Sequence, residues 1–224
     1  MQNLEPIIEK IRLSFDARTA ARDQALAQAR LVTRHSANAI RAIHRDQSDL
    51  AQQHLDEAHQ LVSSIQAGLK DYPDLYYAGY TQDALKEFVE ATITCTLIEN
   101  RPLPSPEDLR MVESTYLNGL AEVVGELRRR CLDILRQGYS QEAERLLGYM
   151  DDIYAMLVTL DYPDAITSGL RRQTDLVRGI LERTRGDLTI SLREQQLENS
   201  LAALAARLTD LEAINSDHAE HPGL

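Results

Sequence analysis

The chain has 224 residues, 43% of them hydrophobic, so it has enough apolar material for one large core or two small ones. It contains no Trp, only two Phe and few Gly and Pro, a composition that favours helices over strands. Its formal net charge of −11 argues against a general nucleic-acid binder, whose surface is normally basic. An average charge can nevertheless hide a local basic stripe.

Hydropathy and cysteine content indicate where the chain is expected to reside. No stretch approaches the roughly 20 apolar residues that a membrane span requires, and the start, MQNLEPIIEKIR, lacks the layout of a signal peptide. Cys95 and Cys131 have no Cys or His nearby at metal-ligand spacing. We therefore expect a cytoplasmic protein without membrane association, in which both cysteines are buried free thiols.

Capping signals and apolar periodicity divide the chain into about seven long helices, and the fold class predicted is a single all-α domain. The first helix is predicted over residues 6–45, with a break near Asp16, and the second over 48–69. The segment DYPD at residues 71–74 ends the second helix, because the residue before a proline disfavours helical geometry. A third helix is predicted over 76–99.

The second half of the chain continues in the same way. Ser105 is predicted to be an N-cap, because a proline and acidic residues follow it in the first turn. A second DYPD, at residues 161–164, is interpreted as a recurring turn, since the helices around the two copies do not match. Gly186 is predicted to separate the last two helices. The remaining helices are predicted over residues 105–137, 140–160 and 165–185, and from residue 187 onward.

The last helix carries leucines at alternating spacings of four and three over about three heptads, which is short for a coiled coil. It either packs on the body of the protein or pairs between subunits, and both alternatives stay open. The predicted organisation is a helical domain over residues 1–188, a leucine-rich extension over 189–213 and a disordered tail over 214–224.

A basic stripe is predicted on the first helix, where no acidic residue occurs between positions 24 and 45. At about 100° per residue its arginines fall within an arc of roughly 60°, opposite an apolar face, with a histidine beside them. The residues concerned are Arg30, Arg34, Arg41, Arg45 and His44. The arginines either pair with acids on neighbouring helices or form a track for a phosphate backbone.

Four carboxylates occur in pairs on the third and fourth predicted helices. Glu87 and Glu90 share a face through their i,i+3 spacing, with Tyr80 one heptad earlier on the same face. Glu122 and Glu126, at i,i+4, lie opposite the apolar face of the fourth helix. These carboxylates are candidate ligands for one hard cation, if the two helices lie side by side.

Oxygen-only ligands favour Mg²⁺ or Mn²⁺ over zinc, and such ions activate water and stabilise phosphoryl transition states. Di-iron chemistry fits less well, because neither pair continues into a Glu-x-x-His motif. There is no phosphate-binding loop, dinucleotide fingerprint or nucleophile elbow. The alternative is that these are ordinary surface glutamates, with Glu126 paired to Arg130.

Several segments, taken in order, resemble the translin and Trax family of small all-helical proteins that bind, and in some cases cleave, RNA. The similarity covers about residues 16–188. The segments are ARDQALAQARLVTRHSANAIRAIHR, YYAGYTQDALKEFVEA, YLNGLAEVVGELRRRC and SGLRRQTDLVRGILERTRGDL.

The resemblance implies roles for individual residues. By this resemblance, the positions at which Trax-like members bind Mg²⁺ through acidic residues correspond to Glu87, Glu90 and Glu122. Glu126 corresponds to a further acidic residue on the same helix as Glu122. Trax has an aspartate at the position of Glu122. The basic, histidine-rich segment of translin is not matched by residues 76–80. The chain is therefore identified as Trax-like rather than translin-like.

Three hypotheses follow. The first is an endoribonuclease that uses Mg²⁺, or Mn²⁺, to cleave single-stranded RNA inside a closed homo-oligomer, which the family implies to be an octamer. In this hypothesis the metal is bound by Glu87, Glu90, Glu122 and Glu126. One of these glutamates, or a hydroxide on the ion, acts as the base toward the attacking water. The arginine stripe, His44 and Tyr80 contact the RNA. The second is a translin-type protein that binds single-stranded RNA or DNA without cutting it. The third is a helical interaction protein whose glutamates are only solvated.

Overall fold

The computed structural model describes residues 3–219, and within them every regular element is an α-helix. Helical residues make up 84% of the structure, which confirms the all-α prediction. Six helices are long and three consist of a single turn. The bounds are α1 Leu4–Ile43, α2 Ser48–Gly68, α3 Pro73–Tyr76, α4 Gly79–Ile98, α5 Pro106–Leu109, α6 Glu113–Leu135, α7 Gln141–Leu157, α8 Asp164–Thr167 and α9 Leu170–Ala219.

The long helices pack in an order that places α4 and α6 at the centre. Helix α1 packs against α2 and α4, α4 packs against α6, and α6 packs against α7 and α9. The core is aliphatic, as expected from a chain with few aromatics, and is filled by side chains such as Leu85, Ile93, Leu127, Leu146 and Met150. Because α4 and α6 are adjacent, their polar faces meet at one site.

The predicted fourth helix is wrong as a single element. Ser105 does cap a helix, and its hydroxyl accepts from the backbone N–H of Asp108 in a capping box. That helix is only α5, however, and the chain then turns through Arg110, whose φ of 54° is left-handed. The turn buries Leu109 and Met111, so apolar burial overrides the helical pattern here. Helix α6 begins at Glu113.

Two predicted helix breaks are also wrong. Helix α1 runs through Asp16 without interruption, and α9 runs through Gly186, so the predicted last two helices form one element. An isolated glycine is tolerated in a helix, and a Cβ at Gly186 would meet nothing within 4 Å. Helix α9 includes residues 214–219 of the tail predicted to be disordered, and 220–224 lie outside the described residues.

The two terminal helices extend beyond the packed body. Leu4, Ile7 and Phe15 of α1 are exposed, as are Leu197 and Leu204 of α9. The leucine-rich part of α9 therefore does not pack on the body of its own chain, which leaves pairing between subunits as the alternative. The division of the chain into a domain over 1–188 and an extension over 189–213 stays a prediction.

Other sequence features behave largely as expected. A one-turn helix begins inside each DYPD segment, α3 at Pro73 and α8 at Asp164. Cys95 and Cys131 are buried and free, and burial raises the pKa of each thiol to about 12. Over residues 3–219, no helix has the length and apolar character to cross a membrane.

Candidate metal centre

A close approach of α4 and α6 brings the candidate carboxylates together. It occurs at Gly119, where a Cβ atom would lie 2.7 Å from Val89 Cγ1 and 3.0 Å from the backbone oxygen of Lys86. Glycine is therefore required at this crossing for packing, rather than for backbone conformation. Glu90 follows Val89 directly, and Glu122 lies one turn beyond Gly119, so both acids project beside the crossing.

Three of the four predicted carboxylates converge. Glu87 and Glu90 of α4 and Glu122 of α6 each offer one oxygen, and these oxygens lie within 4.8 Å of one another. All three side chains are half-buried. Carboxylates this close repel one another, so a cation between them would stabilise the charged cluster.

One basic side chain compensates this cluster in part. Lys86 Nζ donates to Glu122 Oε1 over 2.7 Å, and the Gln173 side-chain amide of α9 donates to the same oxygen over 3.2 Å. Within the described chain, Glu87 and Glu90 form no ion pair. Three carboxylates and one ammonium leave a formal charge of two minus when all are ionised, which matches a divalent cation.

Glu126, the fourth predicted ligand, lies beside this cluster with its own partners. His44 Nε2 donates to Glu126 Oε2 over 2.6 Å, and Arg129 lies 3.5 Å from the same oxygen. The hydrogen bond from His44 is the main cause that lowers the pKa of Glu126, so this carboxylate stays charged. The suggested pairing with Arg130 is wrong, because Arg130 contacts Asp46 over 2.8 Å instead.

The protonation of the cluster follows from burial and mutual repulsion. Burial, and then the charges of Glu122, Glu87 and Glu126, raise the pKa of Glu90 from 4.5 to about 8. Burial, and then the charges of Glu122, Asp83 and Glu126, raise the pKa of Glu87, and Lys86 opposes this in part. Without a cation, Glu90 therefore holds a proton at neutral pH.

His44 lies at the carboxylates and not on the open surface of the basic stripe. Its side chain is only 3% exposed, its Nε2 bonds Glu126, and its buried Nδ1 has no hydrogen-bond partner among the described residues. At about 100° per residue the helical pattern placed it beside the arginines, but in the structure its side chain is turned to Glu126 of α6. Its predicted contact with RNA is therefore corrected to a role in holding Glu126.

The arginine stripe itself is on the surface. Arg30, Arg34, Arg41 and Arg45 are all exposed, and none of them forms an ion pair with an acid of the described chain. Arg41 donates to its neighbour Asn38. The alternative in which these arginines pair with neighbouring helices is therefore wrong, and their guanidinium groups are available to a ligand.

Comparison with known proteins assigns the chain to a family. The Translin family matches residues 19–184, a span that includes α4, α6 and all four glutamates. This chain belongs to the translin family. Helix α9 continues well beyond the matched segment.

Individual relatives extend over most of the chain. The Methanocaldococcus jannaschii protein MJ0175 is 33% identical over 184 residues, which cover 81% of each chain. Among solved structures, AfC3PO, determined alone and in a complex with duplex RNA, is 34% identical with a TM-score of 0.79, covering 84% of this chain and 98% of that one. Apo-NeC3PO, at 24% identity and a TM-score of 0.70 over 85% of this chain and 98% of that one, shows the same fold.

A polar cleft of about 330 Å³ lies beside the carboxylates of this translin-family protein. Lys86 and Gln173, both in contact with Glu122, form one part of its lining. Tyr77 and Asn118 contribute further lining. Tyr80, predicted to contact nucleic acid, is half-buried, and its hydroxyl is buried with no partner among the described residues.

Sequence reasoning missed three partners of the carboxylates. Lys86 lies four residues before Glu90, so helical spacing could have placed it on the face of the carboxylates. Its partner in the structure is nevertheless Glu122 of α6, which spacing along one helix does not predict. Gln173 and the bond from His44 to Glu126 depend on how distant helices pack, which periodicity does not report. The donor set that results, carboxylate oxygens with a deficit of positive charge, fits Mg²⁺ or Mn²⁺.

Proposed function

We propose that this translin-family protein is a Mg²⁺-dependent endoribonuclease of the Trax type, with Mn²⁺ as an alternative ion. Its substrate is single-stranded RNA, which it cleaves inside a closed homo-oligomer, expected to be an octamer. The observation that supports this most strongly is the convergence of Glu87, Glu90 and Glu122 with only Lys86 to compensate their charge.

The carboxylates have separate tasks in this proposal. Glu87, Glu90 and Glu122 hold the ion, which supplies Lewis-acid stabilisation of the phosphoryl oxygens and a lowered pKa of water. Burial, and then repulsion by the neighbouring carboxylates, raise the pKa of Glu90 to about 8, so Glu90 would have to lose its proton to serve as a ligand. Glu126, kept charged and oriented by His44, is positioned to orient the attacking water or to serve as an additional ligand.

Lys86 and Gln173 connect the carboxylates to the cleft. Both contact Glu122 and both line the cleft beside it. The Lys86 ammonium is a point charge on a flexible stem, so it would be able to contact a phosphate oxygen in the cleft as well as Glu122. The cleft would therefore hold a scissile phosphate beside Glu122.

Binding of the RNA strand away from the reacting phosphate is assigned to the arginine stripe. Its four guanidinium groups are exposed and lack acidic partners in the described chain, as a phosphate track requires. The relative AfC3PO has a solved structure in complex with duplex RNA, which supports RNA as the ligand class. The preference for single strands and the cytoplasmic location stay predictions that rest on the resemblance and the sequence.

One assay tests the catalytic proposal. End-labelled single-stranded and duplex RNA of the same sequence are incubated with the purified full-length protein in Mg²⁺, in Mn²⁺ and in EDTA. We expect internal cleavage of the single strand in either ion, slower cleavage of the duplex, and none in EDTA. Cleavage in EDTA, or unchanged cleavage by Glu87→Gln, would rule out the carboxylate mechanism.

A translin-type protein that binds RNA or DNA without cutting it is the second candidate. The bond of 2.7 Å from Lys86 to Glu122 favours it, because an ammonium can stabilise an acidic cluster in place of a metal ion. Tight binding of RNA without cleavage at saturating Mg²⁺ and Mn²⁺ would support this candidate. Absence of any binding would instead support the interaction protein whose glutamates are only solvated.

A further inference from the structure

A second group of metal-ligating side chains lies between α1 and α2, away from the carboxylates. His35 of α1 faces His54 and Glu57 of α2, and one ligand atom from each lies within 4.8 Å of the others. His35 lies about 13 Å before His44 along α1 at roughly 1.5 Å per residue, so this is a separate location. The three residues have no part in the proposed cleavage.

The three ligand atoms form a compact triangle. His35 Nδ1 is 3.3 Å from His54 Nδ1 and 2.7 Å from Glu57 Oε2, and His54 Nδ1 is 3.5 Å from the same oxygen. In a tetrahedral site with bonds of about 2.0–2.1 Å, neighbouring ligand atoms are about 3.3 Å apart. Two edges already match that separation, and the third requires an opening of about 0.6 Å.

Two features make this more than a chance surface contact. The Nδ1 atoms of the two imidazoles face each other, and both face Oε2 of Glu57. This arrangement suits one shared cation better than it suits separate hydrogen bonds. The ligands are also held firmly, since His54 and Glu57 lie one turn apart on α2 and α1 packs against α2 over much of its length.

Exposure leaves room for one further ligand. The side chains of His35 and His54 are 22% and 20% exposed, and that of Glu57 is 42% exposed. Three protein ligands with an accessible side are the arrangement in which zinc keeps a fourth position for water. Imidazole nitrogen favours zinc and its neighbours in the first transition row, whereas Mg²⁺ prefers oxygen.

We propose that His35, His54 and Glu57 form a binding site for Zn²⁺, or a similar transition-metal ion, that links α1 to α2. The site offers two imidazole nitrogens and one carboxylate oxygen, and because protons compete with the ion for these ligands, its affinity falls in acid. It differs in donor chemistry from the carboxylate site of α4 and α6, and the two sites are expected to select different ions.

Metal titration tests this site directly. Chelator-treated full-length protein is titrated with Zn²⁺ against a chromophoric competitor, and with Co²⁺, whose visible absorption reports its coordination. The background carries Glu87→Gln and Glu90→Gln to disable the carboxylate site, and His218→Asn and His221→Asn to remove the histidines near the C-terminus. We expect one ion per chain and the intense absorption of four- or five-coordinate Co²⁺.

Variants of the ligands decide the outcome. His35→Asn, His54→Asn and Glu57→Gln should each weaken Zn²⁺ binding by more than about 10-fold, the loss that even removal of an outer partner produces. His59→Asn is the matched control, because it lies exposed on α2 outside the triangle and should bind as the background does. If a histidine variant fails to fold, the nearly isosteric Glu57→Gln still tests the site.

Two results would overturn the proposal. Unchanged affinity and stoichiometry in the folded variants, or octahedral Co²⁺ absorption in the background protein, would show that the triangle is only a hydrogen-bonded contact. A Zn²⁺-dependent rise in melting temperature, present in the background protein and absent in Glu57→Gln, would further support the site. Because the test does not use RNA, its failure is distinct from failure of the endoribonuclease proposal.

Discussion

The carboxylate cluster of α4 and α6 and the arginine stripe of α1 have opposite charges and different environments. The cluster is half-buried, with three acids and one ammonium, whereas the stripe is exposed, with four cations and no acidic partner in the described chain. Arginines elsewhere in the described chain form ion pairs, for example Arg128 with Asp187 and Arg185 with Asp151. The cluster and the stripe are therefore two separate places where charges of one sign lie together, which suggests that each has a ligand of its own.

The two regions also differ in the energies involved. Charges in the cluster interact in a half-buried environment, where burial and repulsion shift the pKa of Glu90 to about 8. Charges in the stripe are solvated and screened by salt, so they are suited to sequence-independent binding of a polyanion. In the proposed enzyme the cluster determines the rate of cleavage and the stripe determines affinity for RNA.

The largest expected effect is on cleavage. Glu90→Gln removes a ligand from the cluster and should lower the cleavage rate by about 100- to 10,000-fold, since it removes charge that the reaction needs. The dissociation constant for RNA should stay within about 2-fold, because the stripe is untouched. The measurement is single-turnover cleavage of labelled RNA beside an equilibrium binding assay.

Glu113→Gln is the matched control, since Glu113 lies exposed near the start of α6. It should cleave at the wild-type rate. An equal loss of cleavage in Glu90→Gln and Glu113→Gln would contradict a special role of the cluster. An equal loss of cleavage and of RNA binding in Glu90→Gln would contradict the assignment of cleavage to the cluster and of binding to the stripe.

Charge reversal in the stripe should have the second-largest effect. Arg34→Glu with Arg41→Glu should weaken RNA binding by about 10-fold or more. The slope of log affinity against log salt should also become shallower, by about one unit for each phosphate that is no longer neutralised. Cleavage at saturating RNA should change little. The check is binding measured across a range of salt concentrations.

The control for that pair changes the net charge by the same amount. Arg12→Glu with Arg178→Glu reverses two exposed arginines that are paired with Glu9 and Glu182. If this control weakens binding as much as the stripe variant does, total charge rather than the stripe governs affinity.

A packing variant at the crossing of α4 and α6 should have a smaller effect, and it should alter the carboxylate cluster without altering the arginine stripe. Gly119→Ala places a methyl group 2.7 Å from Val89 Cγ1 and should lower the free energy of unfolding by about 1–3 kcal/mol by overpacking the crossing of α4 and α6. It should also weaken Mg²⁺ binding, because Glu90 and Glu122 move apart. Denaturant unfolding and metal titration measure the two effects.

Gly125→Ala, on the same helix, is the control. A Cβ there meets nothing within 4 Å, so it should raise the free energy of unfolding by about 0.5–1 kcal/mol through helix propensity. Stabilisation by Gly119→Ala as well would contradict the proposed role of the crossing.

The last expected effect is a gradual one, a dependence of stability on pH. The folded protein keeps the Glu90 proton up to about pH 8, whereas the unfolded chain releases it near 4.5. The folded state therefore binds more protons between these values, and the free energy of unfolding of the ion-free protein falls as the pH rises through this window, by at most about 1.4 kcal/mol per pH unit. Above about pH 8 this contribution is constant.

Two comparisons isolate that contribution. Glu90→Gln should flatten the slope between pH 5 and 8, roughly the window set by the pKa of Glu90, while Glu113→Gln leaves it unchanged. Saturating Mg²⁺ should also flatten it in the wild-type protein, because the ion takes the place of the proton. A slope that persists in Glu90→Gln would assign it to other groups.

The sequence predicted the faces of the helices better than their ends. Apolar periodicity is a local property, so it placed Glu87 with Glu90 and the arginines opposite the core. The left-handed turn at Arg110 and the uninterrupted helix through Gly186 depend on tertiary packing, which overrides local propensity. Helix ends were therefore the part that failed.

The sequence predicted which glutamates belong to the candidate site, but not which side chains contact them. Spacing put the glutamates on two faces, and the family resemblance selected them. That three converge while Glu126 binds His44 depends on the crossing at Gly119 and on the packing of α1, which no local pattern encodes. The pairing of His35 with His54 was missed for the same reason.

Metal binding and cleavage measured on the same protein give the most direct test of the proposed catalytic site. Mn²⁺ is titrated into the full-length chain while electron paramagnetic resonance follows bound ion and a labelled single-stranded RNA reports cleavage. We predict that both rise with the same half-maximal Mn²⁺ concentration and that both are lost in Glu90→Gln. Cleavage that is independent of bound Mn²⁺, or that persists in Glu90→Gln, would contradict the claim that these carboxylates hold the catalytic ion.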